Sequence, residues 1–149
     1  MSSREPRIVA LGGGHGLYAT LTAMRYLSAD ITAVVTVADD MVDARWAVAA
    51  AEWDDRVYAA VALHPMHAGD LNDETAAELE RMVRHPRVVA VGETGLDYYW
   101  PGRSDDCASP EVQHETFRWH IDLAKRVGKP LMIHDRDAHD DVVRILLEE

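Results

Sequence analysis

The residues best suited to chemistry stand in three short runs. They are His64-Pro65-Met66-His67, Gly92-Glu93-Thr94-Gly95-Leu96-Asp97 and Ile133-His134-Asp135-Arg136-Asp137-Ala138. Each follows an apolar segment rich in Val, Ile, Leu and Ala, as a strand end does. In a parallel α/β sheet the carboxyl ends of all strands share one edge, where ligands bind. Glu93, His134 and His64 can therefore converge although they are far apart in the chain. One carboxylate among imidazoles suits a divalent cation that polarises water or a phosphate oxygen. A single histidine at such a place is weak evidence. His85, His114, His120 and His139 read as loop hydrogen-bonders, and Asp97, Asp135 and Asp137 as turn or helix caps. A second run, Gly12, Gly13, Gly14, His15 and Gly16, lies between a first strand and a first helix. Glycines let the backbone approach a ligand, and a helix N-terminus favours anions, so this turn is a candidate phosphate cradle. Its spacing fits neither the dinucleotide fingerprint nor the P-loop.

Five alternations of strand and helix must carry these runs. The strands are expected at Ile8 to Leu11, Ile31 to Ala38, Val57 to Leu63, Val88 to Val91 and Leu131 to Ile133. Helices are expected at about Leu17 to Leu27, Val42 to Trp53, after a cap at Asn72 or Asp73, from Pro110 to about Val127, and from about Ala138 onward. Trp46, Trp53 and Trp119 are expected to face the core. Gly128-Lys129-Pro130 stops the fourth helix, and Tyr98 to Ser109 is an irregular loop. This is the α/β class: five βα units around a parallel sheet. The sheet is either a partial (β/α)₈-barrel or a Rossmann-like open sheet. In the first order the fourth strand continues beyond the third; in the second it crosses to the far side of the first. The barrel order is favoured. It leaves Val89, Val91 and Met132 without covering strands, so self-association into a homo-oligomer is expected.

Composition sets bounds. The chain has 149 residues, 48% hydrophobic and 28% charged, ordinary for one globular domain. A complete (β/α)₈ barrel needs about 250 residues. With 15 basic against 26 acidic residues, the formal net charge is −11. That excludes a broad electrostatic footprint for DNA or RNA, so nucleic acid is expected only as a substrate met through bound cations. No apolar run or leader segment points to a membrane, and the lone Cys107 requires no oxidising compartment. A cytoplasmic protein is the expectation.

Two families are resembled. Ile8 to about Asp40, IVALGGGHGLYATLTAMRYLSADITAVVTVADD, is similar to the start of the YvcK/CofD-like family, which has a Rossmann-like fold and handles phosphate-bearing ligands. By that resemblance Gly12 to Gly16 face a small phosphate-bearing ligand. From about Thr32 onward the chain resembles the TatD family of metal-dependent hydrolases and deoxyribonucleases. The stretches are TAVVTVADD, ARWAVAAAEW, VYAAVALHP, HPRVVAVGETGLDYYWPG and GKPLMIHDRDAHDDV. This resemblance implies a (β/α)₈-type fold, Glu93 as a metal-bridging carboxylate and His134 as a metal ligand. His64 would lie near the substrate phosphate, with Arg136 and Asp137 supporting the site from behind. The family takes further ligands from a first-strand motif and from later strands; only Glu93 and His134 remain here, a pair that would hold a cation weakly. These readings lead to an expected chimera joined at the shared strand. Residues 1–31 would be a Rossmann-type unit, 32–40 the junction and 41–149 a barrel fragment. Such a chain is expected to lack robust catalysis. The alternatives are a working TatD-like metal-dependent nuclease and a phosphate- or nucleotide-binding module.

Overall fold

The computed structural model describes residues 7–13 and 30–149. Five strands lie side by side in chain order, all parallel: β1 (Arg7–Gly13), β2 (Asp30–Val37), β3 (Val57–Val61), β4 (Val88–Asp97) and β5 (Leu131–Arg136). This is the order of a barrel wall. The Rossmann alternative fails because β4 pairs with β3 and β5, not with β1. Four helices are described: α1 (Met41–Ala51), α2 (Asp73–Met82), α3 (Pro110–Val127) and α4 (His139–Glu148). The expected helix at about Leu17 to Leu27 lies outside the described residues.

Local chemistry accounts for the helix ends. Asp40 caps α1, its carboxylate accepting from the N–H groups of Val42 and Asp43. Asn72 caps α2 and forms a reciprocal box with Thr75. Ser109 caps α3 with Pro110 in its first turn, and Gly128 ends it at φ 65°, a left-handed geometry that suits glycine.

The main core lies between the sheet and its helices. Ala44, Ala47 and Ala51 of α1, Leu79 of α2 and Leu123 of α3 pack against Ala59, Val61, Val88 and Val91. A second cluster joins Leu96, Phe117, Ile121, Val142 and Ile145 beneath α3 and α4. Helix α1 is lined with alanines and so approaches the sheet closely. Trp46 of this helix and Trp53 just beyond it do not enter that core as expected: Trp53 is 71% exposed and stacks edge-on with Trp46 at 5.9 Å. Trp119 does pack against it.

Two strands are longer than their apolar runs. Strand β4 continues through Gly92–Asp97 and β5 through His134–Arg136. Asp97 and His134 thus sit inside the β4–β5 ladder, where hydrogen bonding fixes them; Glu93 falls in the irregularity between Val91 and Thr94 of the same strand, and His64 follows the end of β3. Likewise Gly12 and Gly13 belong to β1, paired with Thr36 and Val37. The rest of the proposed phosphate cradle, Gly14, His15 and Gly16, lies outside the described residues.

Candidate metal centre

Strand register brings the cluster together. Gly95 stands opposite His134 in the β4–β5 ladder. Glu93, Gly95 and Asp97 alternate along β4, and the glycine between the two acids leaves room for the main chain of His134. A Cβ at Gly95 would lie 2.1 Å from the His134 carbonyl oxygen, and φ there is +144°, so no other residue fits. His134 Nδ1 lies 3.1 Å from Glu93 Oε1, and its Nε2 lies 2.9 Å from Asp97 Oδ2. From the end of β3, His64 Nε2 reaches within 3.1 Å of His134 Nδ1, with ring centroids 4.3 Å apart.

Ligand atoms of His64, Glu93 and His134 all lie within 4.8 Å of one another, the sole such group among the described residues. Two imidazoles and a carboxylate form a donor set suited to a borderline divalent cation. The three residues expected to converge are therefore together, and His64, expected near the substrate phosphate, stands beside the two expected ligands. Their side chains are 12%, 37% and 19% exposed in the order His64, Glu93, His134, so the cluster opens to solvent on one side.

Protonation follows the geometry. The hydrogen bond to Glu93, with a second to Asp97, raises the His134 pKa despite partial burial. Burial, then the neighbouring His134, lowers that of His64. The same contact with His134 holds the Glu93 carboxyl below the usual carboxylate range. The position of His134 between two carboxylates favours its holding a proton, and a cation at Nδ1 would compete with that proton. Because Nε2 faces Asp97, Nδ1 is the nitrogen turned toward Glu93 and His64. A carboxylate behind a histidine fixes its tautomer in this way.

Asp97 is 1% exposed and does two things. Its Oδ1 accepts from the N–H of Tyr99 at 2.9 Å and of Trp100 at 3.3 Å, the turn-capping role read from sequence. Its Oδ2 holds His134, a role sequence reasoning missed. Asp39, at the end of β2, is the other missed acid: its carboxylate lies 3.5 Å from His64 Nδ1 and 3.4 Å from His67 Nε2. The Arg136 guanidinium sits 3.9 Å over the Tyr99 ring and 5.7 Å from that of Trp100. Asp137, at φ 56°, lines a cavity of about 430 Å³ with Tyr98 and the start of α4. Cys107 is half-buried and its thiol pKa is raised by burial, so nothing activates it.

The family model described as "TatD related DNase" matches residues 20–149. The chain belongs to that family. An uncharacterised metal-dependent hydrolase TatD of Mycobacterium tuberculosis is 67% identical over 125 residues, covering 84% of this chain and 47% of the relative. A 3'-5' ssDNA/RNA exonuclease TatD of Erwinia billingiae is 39% identical over 84 residues, covering 56% and 30%. The crystal structure of YJJV, a TatD homologue of Escherichia coli K12, superposes with a TM-score of 0.78 at 26% identity. It covers 95% of this chain and 55% of that one. The chain thus spans about half the length, or less, of the TatD relatives it matches, and its sheet corresponds to a curled half-barrel.

These matches overturn the chimera and, with it, the expectation of a protein without robust catalysis. The TatD match begins inside the segment assigned to a Rossmann-type parent and runs unbroken through the supposed junction, and no match supports a second family. An apolar strand followed by glycines is common to many parallel sheets, which is why that opening resembled another family. No helix of the described residues is long and apolar enough to cross a membrane.

Proposed function

We propose that this chain is a metal-dependent hydrolase of phosphodiester bonds, with His64, Glu93 and His134 as cation ligands and nucleic acid strands as substrates. The observation that carries the reading is the convergence of these three side chains from three strands, with buried Asp97 behind His134. A divalent cation bound there supplies Lewis acidity toward water and a phosphoryl oxygen. Asp97 holds the His134 ring so that Nδ1 faces the cluster, and Glu93 completes the donor set from the same strand. His64 closes the opposite side, its Nδ1 within hydrogen-bonding reach of the Met66 N–H at 3.3 Å. Beside the cluster, Arg136 and Arg103 stack on Tyr99, at 3.9 and 4.6 Å. In a chain of net charge −11, these two guanidiniums and the aromatic rings offer local contacts for a phosphate and a base. The 3'-5' exonuclease relative supports the same substrate class.

The test is cleavage of bis(p-nitrophenyl) phosphate and of an end-labelled single-stranded oligonucleotide with Mg²⁺, Mn²⁺ or Zn²⁺. Turnover should require the cation, cease with chelator, and fall by at least about 10³-fold in Glu93→Ala. Cleavage that survives both chelator and Glu93→Ala, or no cation binding by calorimetry, refutes the reading.

A further inference from the structure

Helix α3 buries a face that is not wholly apolar. Gln113, Thr116 and His120 are spaced i, i+3 and i+7, so they form one stripe, and they are 0%, 4% and 0% exposed. Burying polar side chains is unfavourable unless each is hydrogen-bonded. Each is, and the partners lie beside the residues of the cluster. Gln113 Oε1 accepts the Asp97 N–H at 2.8 Å, and its Nε2 donates to the Asp97 carbonyl at 3.0 Å. Thr116 Oγ1 donates to the Ala68 carbonyl at 2.9 Å, in the 3₁₀ stretch that His64 begins. His120 Nε2 accepts the Leu63 N–H at 3.2 Å, so its proton is on Nδ1, which faces the Thr116 carbonyl at 2.8 Å and the Thr94 hydroxyl at 3.2 Å. One imidazole therefore joins the residue before His64 to the residue after Glu93.

The sheet does not make this connection. The β3–β4 ladder ends at Val61↔Val91, before either His64 or Glu93 is reached. Beyond that pair, no strand pairing sets the separation of the two ends. Apolar side chains of similar volume would fill the space under α3 but would leave it undetermined.

We propose that Gln113, Thr116 and His120 are positioning residues of the cluster, taking over from the ended ladder and setting the spacing of His64, Glu93 and Asp97. This rests on reading the cluster as a cation site, and the test separates the two claims. His120→Gln keeps an acceptor at the reach of Nε2. His120→Asn keeps a donor at the reach of Nδ1 and leaves the Leu63 N–H unmet. Two quantities are read: Mn²⁺ affinity by calorimetry and, without metal, NMR cross-peaks between the His64 and His134 rings, whose nitrogens lie 3.1 Å apart. His120→Asn should weaken Mn²⁺ binding at least about tenfold and remove the cross-peaks, whereas His120→Gln stays within about threefold and keeps them. Thr94→Val removes one hydroxyl at nearly constant volume; it should weaken binding at least about fivefold and weaken the cross-peaks, and decides the matter if His120→Asn does not fold. A lowered Tm with unchanged affinity and cross-peaks means a merely structural stripe and overturns the proposal. Wild-type protein that binds no Mn²⁺ overturns the hydrolase reading instead, and the metal-free cross-peaks still decide the positioning claim.

Discussion

Replacing Asp97 by asparagine isolates one oxygen. The Oδ1 contacts to the Tyr99 and Trp100 N–H groups survive, because the amide keeps an oxygen there. The Gln113 bonds to the Asp97 backbone are untouched. What changes is the group 2.9 Å from His134 Nε2: an acceptor becomes an NH₂ donor. To meet it, His134 must present its Nε2 lone pair, which moves the ring proton to Nδ1, 3.1 Å from Glu93. A protonated Nδ1 is not a ligand. A charge-assisted hydrogen bond of this kind contributes about 1.5–3 kcal/mol net, and losing such a partner behind a ligating histidine weakens metal binding about 10–100-fold. Asp97→Asn should therefore lower Mn²⁺ affinity by one to two orders of magnitude in calorimetry, with the far-ultraviolet spectrum unchanged. Phosphodiester hydrolysis at subsaturating cation should fall by the same factor. An affinity within about twofold of wild type, with the fold intact, would refute the claim that Asp97 orients His134 for binding.

Two further outcomes follow from charge. Burial lowers the pKa of His120 to about 4, below the ordinary histidine value, so the unfolded chain binds the extra proton first and stability is lost as pH falls from about 6.5 to about 4. The loss amounts to about 3 kcal/mol at the acid end, and urea titrations should show it in wild type with a correspondingly shallower slope in His120→Gln; equal slopes would contradict it. Strand binding should also depend only weakly on salt. With two guanidiniums, Arg103 and Arg136, at the rim, the log–log slope should be about −1.4 for single strands, and a slope steeper than about −4 would require a basic surface this chain lacks.

Glu93 and His134 were legible in sequence because each closes an apolar run with a residue type that such a run rarely carries. His64 was legible as converging with them but not as a possible ligand beside His134, since only the β3 end relative to β5 decides that. Asp97 was half legible. The run Gly-Leu-Asp-Tyr-Tyr reads as a capped turn, and Oδ1 does cap it; the period-two spacing of Glu93, Gly95 and Asp97 was the available sign that the acid also faces the cluster. The strand ends were misjudged because glycine and aspartate mark turns locally, whereas here pairing with β5 keeps Gly92 to Asp97 extended. His120 was beyond reach for another reason. Its decisive partner, Leu63, is 57 residues away, and nothing in a helical run distinguishes a buried histidine with a distant main-chain partner from an exposed one.

Two carboxylates beside His134, the proposed ligand, raise a problem of stability before any cation arrives, because Asp97 is 1% exposed and a buried unpaired charge is costly. His134, lying between Asp97 and Glu93, meets it: the ring's Nε2–H donates to Asp97. Neutral His64, whose Nδ1 accepts the Met66 N–H, turns its Nε2–H to His134 Nδ1. The cluster is thus hydrogen-bonded internally before any cation is bound. Folding of the described sheet then need not wait for metal, unlike domains whose ligands repel one another until metal binds. The neighbouring support comes from neutral α3 side chains bonded to the main chain at the strand ends rather than from more charges. Gln113, Thr116 and His120 fix positions without altering the local charge.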